Sequence, residues 1–143
     1  MVKEQILNAI PALTEIEDAH SEVFSVARED FLTVVETLVH TCHYDALLDL
    51  TAVENPEDMV GIYVLMNLED MDELRLEVHF SKEELWLPSL TDIFHAANVL
   101  ERETYDFFGI DYQGHPNLTR IFCPDDFVGH PLRKDYETQL RTK

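Results

Sequence analysis

Three stretches in the middle of the chain carry apolar residues in patterns typical of β-strands. Residues 45–54 follow a period of two, with one side formed by Ala46, Leu48, Leu50 and Ala52. Residues 60–68 are apolar on both faces, as in a central strand covered on both sides. Residues 74–80 alternate again between apolar and polar side chains. The connections between the three are too short for parallel crossovers, so the pattern predicts an antiparallel meander.

Helical spacing appears on either side of these strands. Apolar residues recur at i, i+3, i+4 and i+7 over residues 31–39, which predicts an amphipathic helix packed on one face of the sheet. A second helix is predicted from Ser89, as N-cap, to Gly109, as C-cap. Residues 3–10 predict a short helix ended by Pro11, and residues 20–28 a strand.

Regular periodicity ends at Gly109. The following residues are rich in Pro, Gly and Asp, and they repeat the tripeptide Gly-His-Pro at 114–116 and 129–131. Large apolar residues are spread through the segment, which argues against disorder. We therefore expect an α+β fold: an antiparallel sheet with helices on one face, formed by a body of residues 1–109. An extended, irregular C-terminal strap, residues 110–143, follows and is expected to dock on a partner.

The charge of the chain narrows the choice of partner. Its 143 residues give a formal net charge of −19, and 45% of them are hydrophobic, enough for one core. Most of the acidic excess lies in residues 1–100, whereas residues 101–143 are close to neutral. Such acidity argues against nucleic acid and anionic lipid as partners, since both attract basic surfaces. The near-neutral segment remains suited to docking on a protein.

The two cysteines and the apolar runs give no sign of secretion or of membrane insertion. Cys42 and Cys123 fit neither a disulfide framework nor a zinc motif. The longest strictly apolar run, residues 62–66, is far shorter than a membrane span, and the N-terminus does not resemble a signal peptide. A soluble, cytoplasmic and reduced protein is expected.

Candidate chemistry in the last third of the chain is of two kinds. A divalent metal site could be formed by His115, His130, Asp125, Asp126 and Cys123, although each histidine precedes a proline and the spacing matches no common ligand pattern. Capping of turns, or a hydrogen bond to a carboxylate, is the alternative role for the imidazoles.

Charged residues around position 101 allow a second interpretation. Glu101, Glu103 and Asp106 could act as a carboxylate acid–base pair, but pairs at i, i+4 on a helix surface, such as Arg102 with Asp106, are the simpler expectation. Arg133 is expected to contact a carboxylate, either in the strap (Asp125 or Asp126) or on a partner. No nucleophile elbow, phosphate loop or HExxH motif is present, so no self-contained catalytic site is predicted.

The segment 101–136, ERETYDFFGIDYQGHPNLTRIFCPDDFVGHPLRKDY, closely resembles the signature of the thirty-kilodalton subunit of NADH:quinone oxidoreductase, respiratory complex I. In bacterial nomenclature this is the C subunit. Upstream, LLDLTAVE and LPSLTDIF also stand where the family has them. Two features depart from the family: Asn98-Val99 stands where tryptophan is frequent, and the chain ends soon after Tyr136 without the longer tail of many members.

The resemblance implies a structural subunit of the peripheral arm of a proton-translocating complex that carries electrons from NADH, or a related donor, to quinone. In that family the subunit binds no cofactor, while the complex as a whole holds FMN, iron–sulfur clusters and quinone; two cysteines cannot supply the four ligands of a cluster. Its partners would be the large, hydrogenase-like quinone-site subunit and other peripheral-arm subunits. Neither nucleic acid binding nor membrane insertion is expected, and the location would be the cytoplasmic face of the cell membrane.

The resemblance also implies the residues of the partner interface. These are the positions that match the family motif: Glu101, Arg102, Glu103, Asp106, Gly109, His115, Pro116, Arg120, Pro124, Asp126, Gly129, His130, Pro131, Leu132, Arg133, Lys134, Asp135 and Tyr136. No catalytic residue is implied, and the isolated chain is expected to be inactive. Two alternatives remain open: the equivalent subunit of a membrane-bound nickel–iron hydrogenase or formate hydrogenlyase, and a free-standing metalloenzyme that uses His115 and His130.

Overall fold

The computed structural model describes residues 3–18 and 20–137, and the predictions for residues 1, 2, 19 and 138–143 lie outside it. Its helices and strands follow one another as α1 (Lys3–Ala9), β1 (Thr14–Ile16), β2 (Glu22–Ser25), α2 (Arg28–His40), β3 (Ala46–Glu54), β4 (Asp58–Asn67), β5 (Asp72–Ser81), β6 (Trp86–Pro88), α3 (Ala97–Phe108) and β7 (Asp111–Gln113). The α+β class is confirmed, and the predicted elements follow one another in the predicted order.

Five strands form the main sheet in the order β1-β2-β5-β4-β3. The pairs β3–β4 and β4–β5 are antiparallel, as the meander prediction required. The strand β2 joins the other side of β5 in a parallel pair, and the short β1 pairs with β2. Sequence patterns did not predict β1 or the parallel pair, because a three-residue strand has too few positions to show a period.

The core lies between this sheet and the helices. Tyr63 of β4 packs on Phe31 of α2 with ring centroids 4.6 Å apart, and both side chains are fully buried. On the opposite face of β4, Val60 and Ile62 are also buried, beside the charged row of β5 that includes His79. The burial of β4 on both faces is therefore confirmed.

A bulge in β3 corrects one part of the predicted pattern. The register of β3 against β4 shifts between Leu47 and Asp49. As a result Leu47 is buried at 7% exposure, whereas Leu48, predicted to face the core, is 47% exposed. The inward row resumes at Leu50. An inserted residue of this kind exchanges the two faces of a strand, which a strict period of two cannot anticipate.

The helix α3 is shorter than predicted at its N-terminus. It begins at Ala97, and residues 91–96 form turns instead, so Ser89 is not its N-cap. The predicted C-cap is confirmed, since Gly109 has φ 80° and its N–H donates to the carbonyl of Tyr105. Directly afterwards β7 pairs in parallel with β6, so the predicted strap begins with a short strand. Within the residues described, no helix is long and apolar enough to cross a membrane.

Candidate functional site

The strap returns to α3 and completes its C-terminus. The last four carbonyl groups of a helix have no partner within the helix. In α3 the carbonyl of Tyr105 accepts the N–H of Gly109, and that of Asp106 contacts Nδ1 of His130 at 3.1 Å. The carbonyl of Phe107 accepts the N–H of Leu132 at 3.0 Å, and that of Phe108 lies 3.5 Å from Arg133. The segment 130–133 therefore serves as a cap for the helix.

Asp106 holds a second part of the strap. Its side chain is fully buried, and its Oδ2 accepts the backbone N–H groups of residues 121, 122 and 123 at 3.2, 2.8 and 3.0 Å. Arg120 lies 3.2 Å from the other carboxylate oxygen and also donates to the carbonyl of Gly129. Burial by itself raises the pKa of Asp106, but these donors outweigh it and hold the pKa below its usual range.

Arg102 contributes to the same attachment. Its guanidinium donates to the carbonyls of Thr119 at 3.0 Å and Arg120 at 3.2 Å. The i, i+4 pair predicted between Arg102 and Asp106 is therefore wrong: both side chains reach across to the strap. Phe107 of α3 stacks on Phe122 of the strap with centroids 5.4 Å apart, which adds an apolar contact.

A third attachment joins the strap to β3. Nε of Arg133 donates to Oε1 of Glu54 at 2.6 Å, and the backbone N–H of Lys134 donates to the same carboxylate. Lys82 lies 3.7 Å away. Burial raises the pKa of Glu54, but the Lys134 N–H and Arg133 outweigh it, so the pKa is lowered.

Glu54 was not identified from the sequence. Arg133 was expected to contact Asp125, Asp126 or a partner; in the structure it donates to Glu54, and the exposed Asp135 lies 4.0 Å away. The available signal was a glutamate on the inward row of β3, where a charge needs a counter-ion.

The two Gly-His-Pro copies act alike. Gly114 and Gly129 both have φ 92°, a left-handed conformation that favours glycine. The imidazoles of His115 and His130 contact the carbonyls of Asn98 and Asp106 respectively, both in α3, at 3.0 and 3.1 Å. Each copy therefore fastens a turn of the strap to the helix. This agrees with the capping role considered for the histidines, with a helix carbonyl as the partner.

The metal alternative finds little support in this arrangement. Nδ1 of His115 accepts the N–H of Asn117, so Nε2 carries the proton and donates to the Asn98 carbonyl. Both nitrogens are thereby engaged, and a metal would have to displace one of these bonds. Among the described residues, no three His, Cys, Asp or Glu side chains are placed to hold a metal ion.

Glu101 points into the molecule. It is fully buried and accepts the N–H of Leu90 at 2.6 Å and the hydroxyl of Ser89 at 2.7 Å. Burial raises the pKa of Glu101 to about 7. The i, i+4 surface pair considered for Glu101 and Tyr105 is therefore not formed.

The other predicted interface residues lie at or near the surface. Pro116, Pro124, Asp126, Lys134 and Asp135 are exposed, and Glu103, Pro131 and Tyr136 are half-buried. Gly129 leaves room for the ring of Tyr136, which stacks on Phe127. Among the described residues of the strap, three large apolar side chains are exposed: Val128 at 72%, Leu132 at 55% and, beside its stack on Phe107, Phe122 at 65%.

The sequence is similar to those of several subunits of NADH-quinone oxidoreductases. The chain is 39% identical to the C subunit of the NADH-quinone oxidoreductase of Moorella thermoacetica over 138 residues, which is 95% of this chain and 93% of the relative. It is 40% identical to the C subunit from Citrifermentans bemidjiense, over 96% and 86% of the two chains. The combined C/D subunit of Ectopseudomonas mendocina is 42% identical over 125 residues, which is 80% of this chain and 21% of that longer protein.

Solved structures share the fold. A trypsin-resistant fragment (1-134) of Nqo5 superimposes with a TM-score of 0.68 at 28% identity, covering 80% of this chain and 98% of the fragment. A chain of a membrane-bound sulfane sulfur reductase, an archaeal respiratory membrane complex, superimposes with a TM-score of 0.76, covering 86% and 75% of the two chains; at 23% identity this shows the fold alone. Residues 24–142 match the family described as "Respiratory-chain NADH dehydrogenase, 30 Kd subunit". The chain therefore belongs to this family of respiratory complex I subunits.

Proposed function

We propose that the chain is a peripheral-arm subunit of an NADH:quinone oxidoreductase that docks, through its strap, on the large quinone-site subunit. In this role it binds no cofactor and supports electron transfer by holding its neighbours in place. The complex as a whole would supply FMN, iron–sulfur clusters and quinone. The expected location is the cytoplasmic face of the membrane, with no segment of this chain inserted.

The observation that carries the proposal is the two-sided character of the strap. Its inner side is tied to α3 and β3 by buried carboxylates, Asp106 and Glu54. Apart from these contacts, the strap exposes Val128, Leu132 and the part of Phe122 outside its stack on Phe107, all within eleven residues. Apolar side chains on a fixed backbone lose little conformational entropy on binding, which favours an interface.

The C/D relative supports the choice of partner. The part of that protein that resembles this chain is joined to a much longer remainder, and its name assigns the whole to both C and D. Fusion keeps two domains at high effective concentration and suits proteins that act side by side. The occupant proposed for the strap is accordingly the large subunit, which corresponds to D.

Substitution of Leu132 tests the proposal with a matched control. Leu132→Asp places a carboxylate on the outer side of the strap, and Leu68→Asp does the same at the β4–β5 turn, where Leu68 has the same 55% exposure. Co-expression with the large subunit and quantitative co-purification would measure capture. A buried apolar contact of this kind contributes about 1–2 kcal/mol, so Leu132→Asp should weaken capture about tenfold and Leu68→Asp should not.

Equal capture by both variants would contradict the strap as the docking surface. The large subunit that co-purifies with the natural chain decides between the two complexes considered from the sequence. Cys-x-x-Cys nickel ligands in it would replace the quinone-linked assignment by a hydrogenase-type complex. Turnover of a substrate by the purified chain alone would overturn the non-catalytic role.

A further inference from the structure

Among the described residues, three carboxylates are buried around α3, and one differs from the other two. Glu54 and Asp106 each contact a guanidinium, that of Arg133 and Arg120 respectively. Glu101 contacts only neutral donors, the hydroxyl of Ser89 and the N–H of Leu90. Within residues 3–18 and 20–137, no cation forms an ion pair with it. A buried carboxylate without a counter-ion favours binding a proton.

A short chain of hydroxyl groups leads from this carboxylate towards the surface. Ser89 Oγ lies 2.7 Å from Glu101 Oε2 and 2.9 Å from the hydroxyl of Thr91. The backbone N–H of Thr91 donates to Ser89 Oγ at 3.2 Å, which fixes the serine oxygen between the two. Ser89 and Thr91 are both half-buried, whereas Glu101 is fully buried. The hydroxyls therefore bridge the interior and the solvent.

The hydrogen bonds between Glu101, Ser89 and Thr91 can all form with either of two opposite donor directions. With Glu101 ionised, Thr91 donates to Ser89 and Ser89 donates to the carboxylate. With Glu101 protonated, its O–H donates to Ser89, and the serine hydroxyl rotates to donate to Thr91. The serine oxygen has two lone pairs, so it accepts from the Thr91 N–H in both states. The two states differ by one proton and by the direction of two hydroxyl groups, and the backbone keeps its position in both.

We propose that Glu101 is an internal proton-binding site that exchanges its proton with solvent through the hydroxyls of Ser89 and Thr91. A proton from water is taken up by Thr91 Oγ1, whose own proton passes to Ser89 Oγ, whose proton in turn passes to Glu101 Oε2. One proton enters and one carboxylate is neutralised, and both hydroxyls are restored in the reversed orientation. The proton held there sets the charge at the point where α3 meets the segment 89–91.

Electrostatics agree with this geometry. Burial raises the pKa of Glu101 to about 7, so the site changes charge close to neutral pH. Within the part of the chain that the structure describes, two tyrosines on other elements interact electrostatically with Glu101: Tyr63 of β4 and Tyr112 of β7. Burial raises the pKa of both phenols further above 10, so both stay neutral when Glu101 titrates. Among the described residues, neither phenol therefore adds a charge change to that of Glu101 near pH 7.

A carboxyl titration followed by NMR on the full-length, ¹³C-labelled chain tests the proposal. The side-chain carboxyl carbon of Glu101 should titrate about two and a half pH units above an ordinary glutamate. Ser89→Ala removes a donor to the ionised form and should raise the midpoint by about one unit or more. Thr91→Val removes the acceptor that the protonated form needs and should lower the midpoint. Thr51→Val, at an exposed position in β3, serves as the control.

The opposite signs of the two shifts separate a proton relay from a packing effect, since loss of packing alone would move both midpoints the same way. A natural chain whose Glu101 titrates below pH 5 would overturn the site. Shifts of equal sign in Ser89→Ala and Thr91→Val would overturn the relay. If Ser89→Ala fails to fold, the midpoint of the natural chain still tests the site, and a midpoint that is not lowered in Thr91→Val would overturn the relay.

Discussion

At the scale of single residues, two glycines share the left-handed backbone conformation but differ in their surroundings. Gly109 has φ 80°, and a Cβ there would lie 2.8 Å from the ring of His130. Gly114 has φ 92°, but a Cβ would meet only the Cβ of Ser89, at 3.9 Å. Both positions favour glycine because a side chain in the left-handed region is strained. Only Gly109 must also leave room for the strap.

This contrast predicts unequal costs for two identical substitutions. Gly114→Ala should lower the free energy of unfolding by about 1 kcal/mol through backbone strain alone. Gly109→Ala should cost about 2–3 kcal/mol, because it also displaces the imidazole that caps the Asp106 carbonyl. Denaturant unfolding of both variants measures the difference. Equal losses would show that the His130 contact contributes nothing to stability.

Charged residues were the least predictable at this scale. The sequence placed Glu101 and Asp106 within a motif and suggested surface pairs, yet both are fully buried. Helical spacing shows which residues share a face, but the donors to Asp106 come from residues 120–123, about fifteen positions later. Contacts between residues so far apart depend on the path of an irregular segment. Such a segment has no hydrophobic periodicity from which its path could be predicted.

At the scale of elements, most regular patterns predicted the structure correctly, whereas one helix end and one bulge were missed. The alternation of β5 and the stripe of α2 are confirmed, and the C-terminus of α3 falls at the predicted glycine. Its N-terminus was placed at Ser89 because that residue resembles a cap. The structure uses the Ser89 hydroxyl for Glu101 instead. The bulge at Leu48 likewise overrode an alternation that looked regular.

The attachment of the strap to α3 leads to a prediction at this scale. Asp106→Asn removes the charge that holds three strap amides and Arg120, so the strap should open more often. Hydrogen bonds to a charged group contribute about 1.5–3 kcal/mol, which corresponds to roughly ten- to hundredfold faster amide exchange. Hydrogen exchange of residues 121–123 measures this directly.

Asp126→Asn is the control, because Asp126 is an exposed carboxylate of the same strap. It should leave the exchange rates of residues 121–123 unchanged. Full protection of these amides in Asp106→Asn would mean that other contacts, such as the Phe107–Phe122 stack, hold the strap by themselves.

At the scale of the whole molecule, buried carboxylates with opposite pKa shifts shape the dependence of stability on pH. The folded pKa of Asp106 and Glu54 is lowered, so their contribution is present above the ordinary carboxyl range and is lost as the pH falls. The folded pKa of Glu101 is raised from 4.5 to about 7. Its contribution is fully present below 4.5 and is lost as the pH rises through 7. Stability should therefore be greatest at mildly acidic pH.

Glu101→Gln tests the loss of stability that is expected as the pH rises through 7. The natural chain should lose up to about 3 kcal/mol of stability between about pH 4.5 and pH 8, and the variant should lose much less. Unfolding by denaturant at several pH values measures both. Glu103→Gln, a half-buried glutamate of the same helix, should keep the natural slope. Parallel curves for the natural chain and Glu101→Gln would contradict a raised pKa.

The paired Gly-His-Pro turns also determine how much the length of the chain can vary. His115 and His130 hold carbonyls eight residues apart on α3, a rise of about 12 Å, whereas the fifteen residues between the histidines could extend to about 50 Å. This excess contour length forms a loop whose tip, residues 124–126, is exposed. Insertions there would lengthen the loop without moving His115 or His130 away from its carbonyl partner on α3. A peptide tag or a tether to a neighbouring protein could be inserted at that tip. One residue added to α3 between Asn98 and Asp106 would instead rotate one carbonyl relative to the other, so that both histidine contacts could not form together.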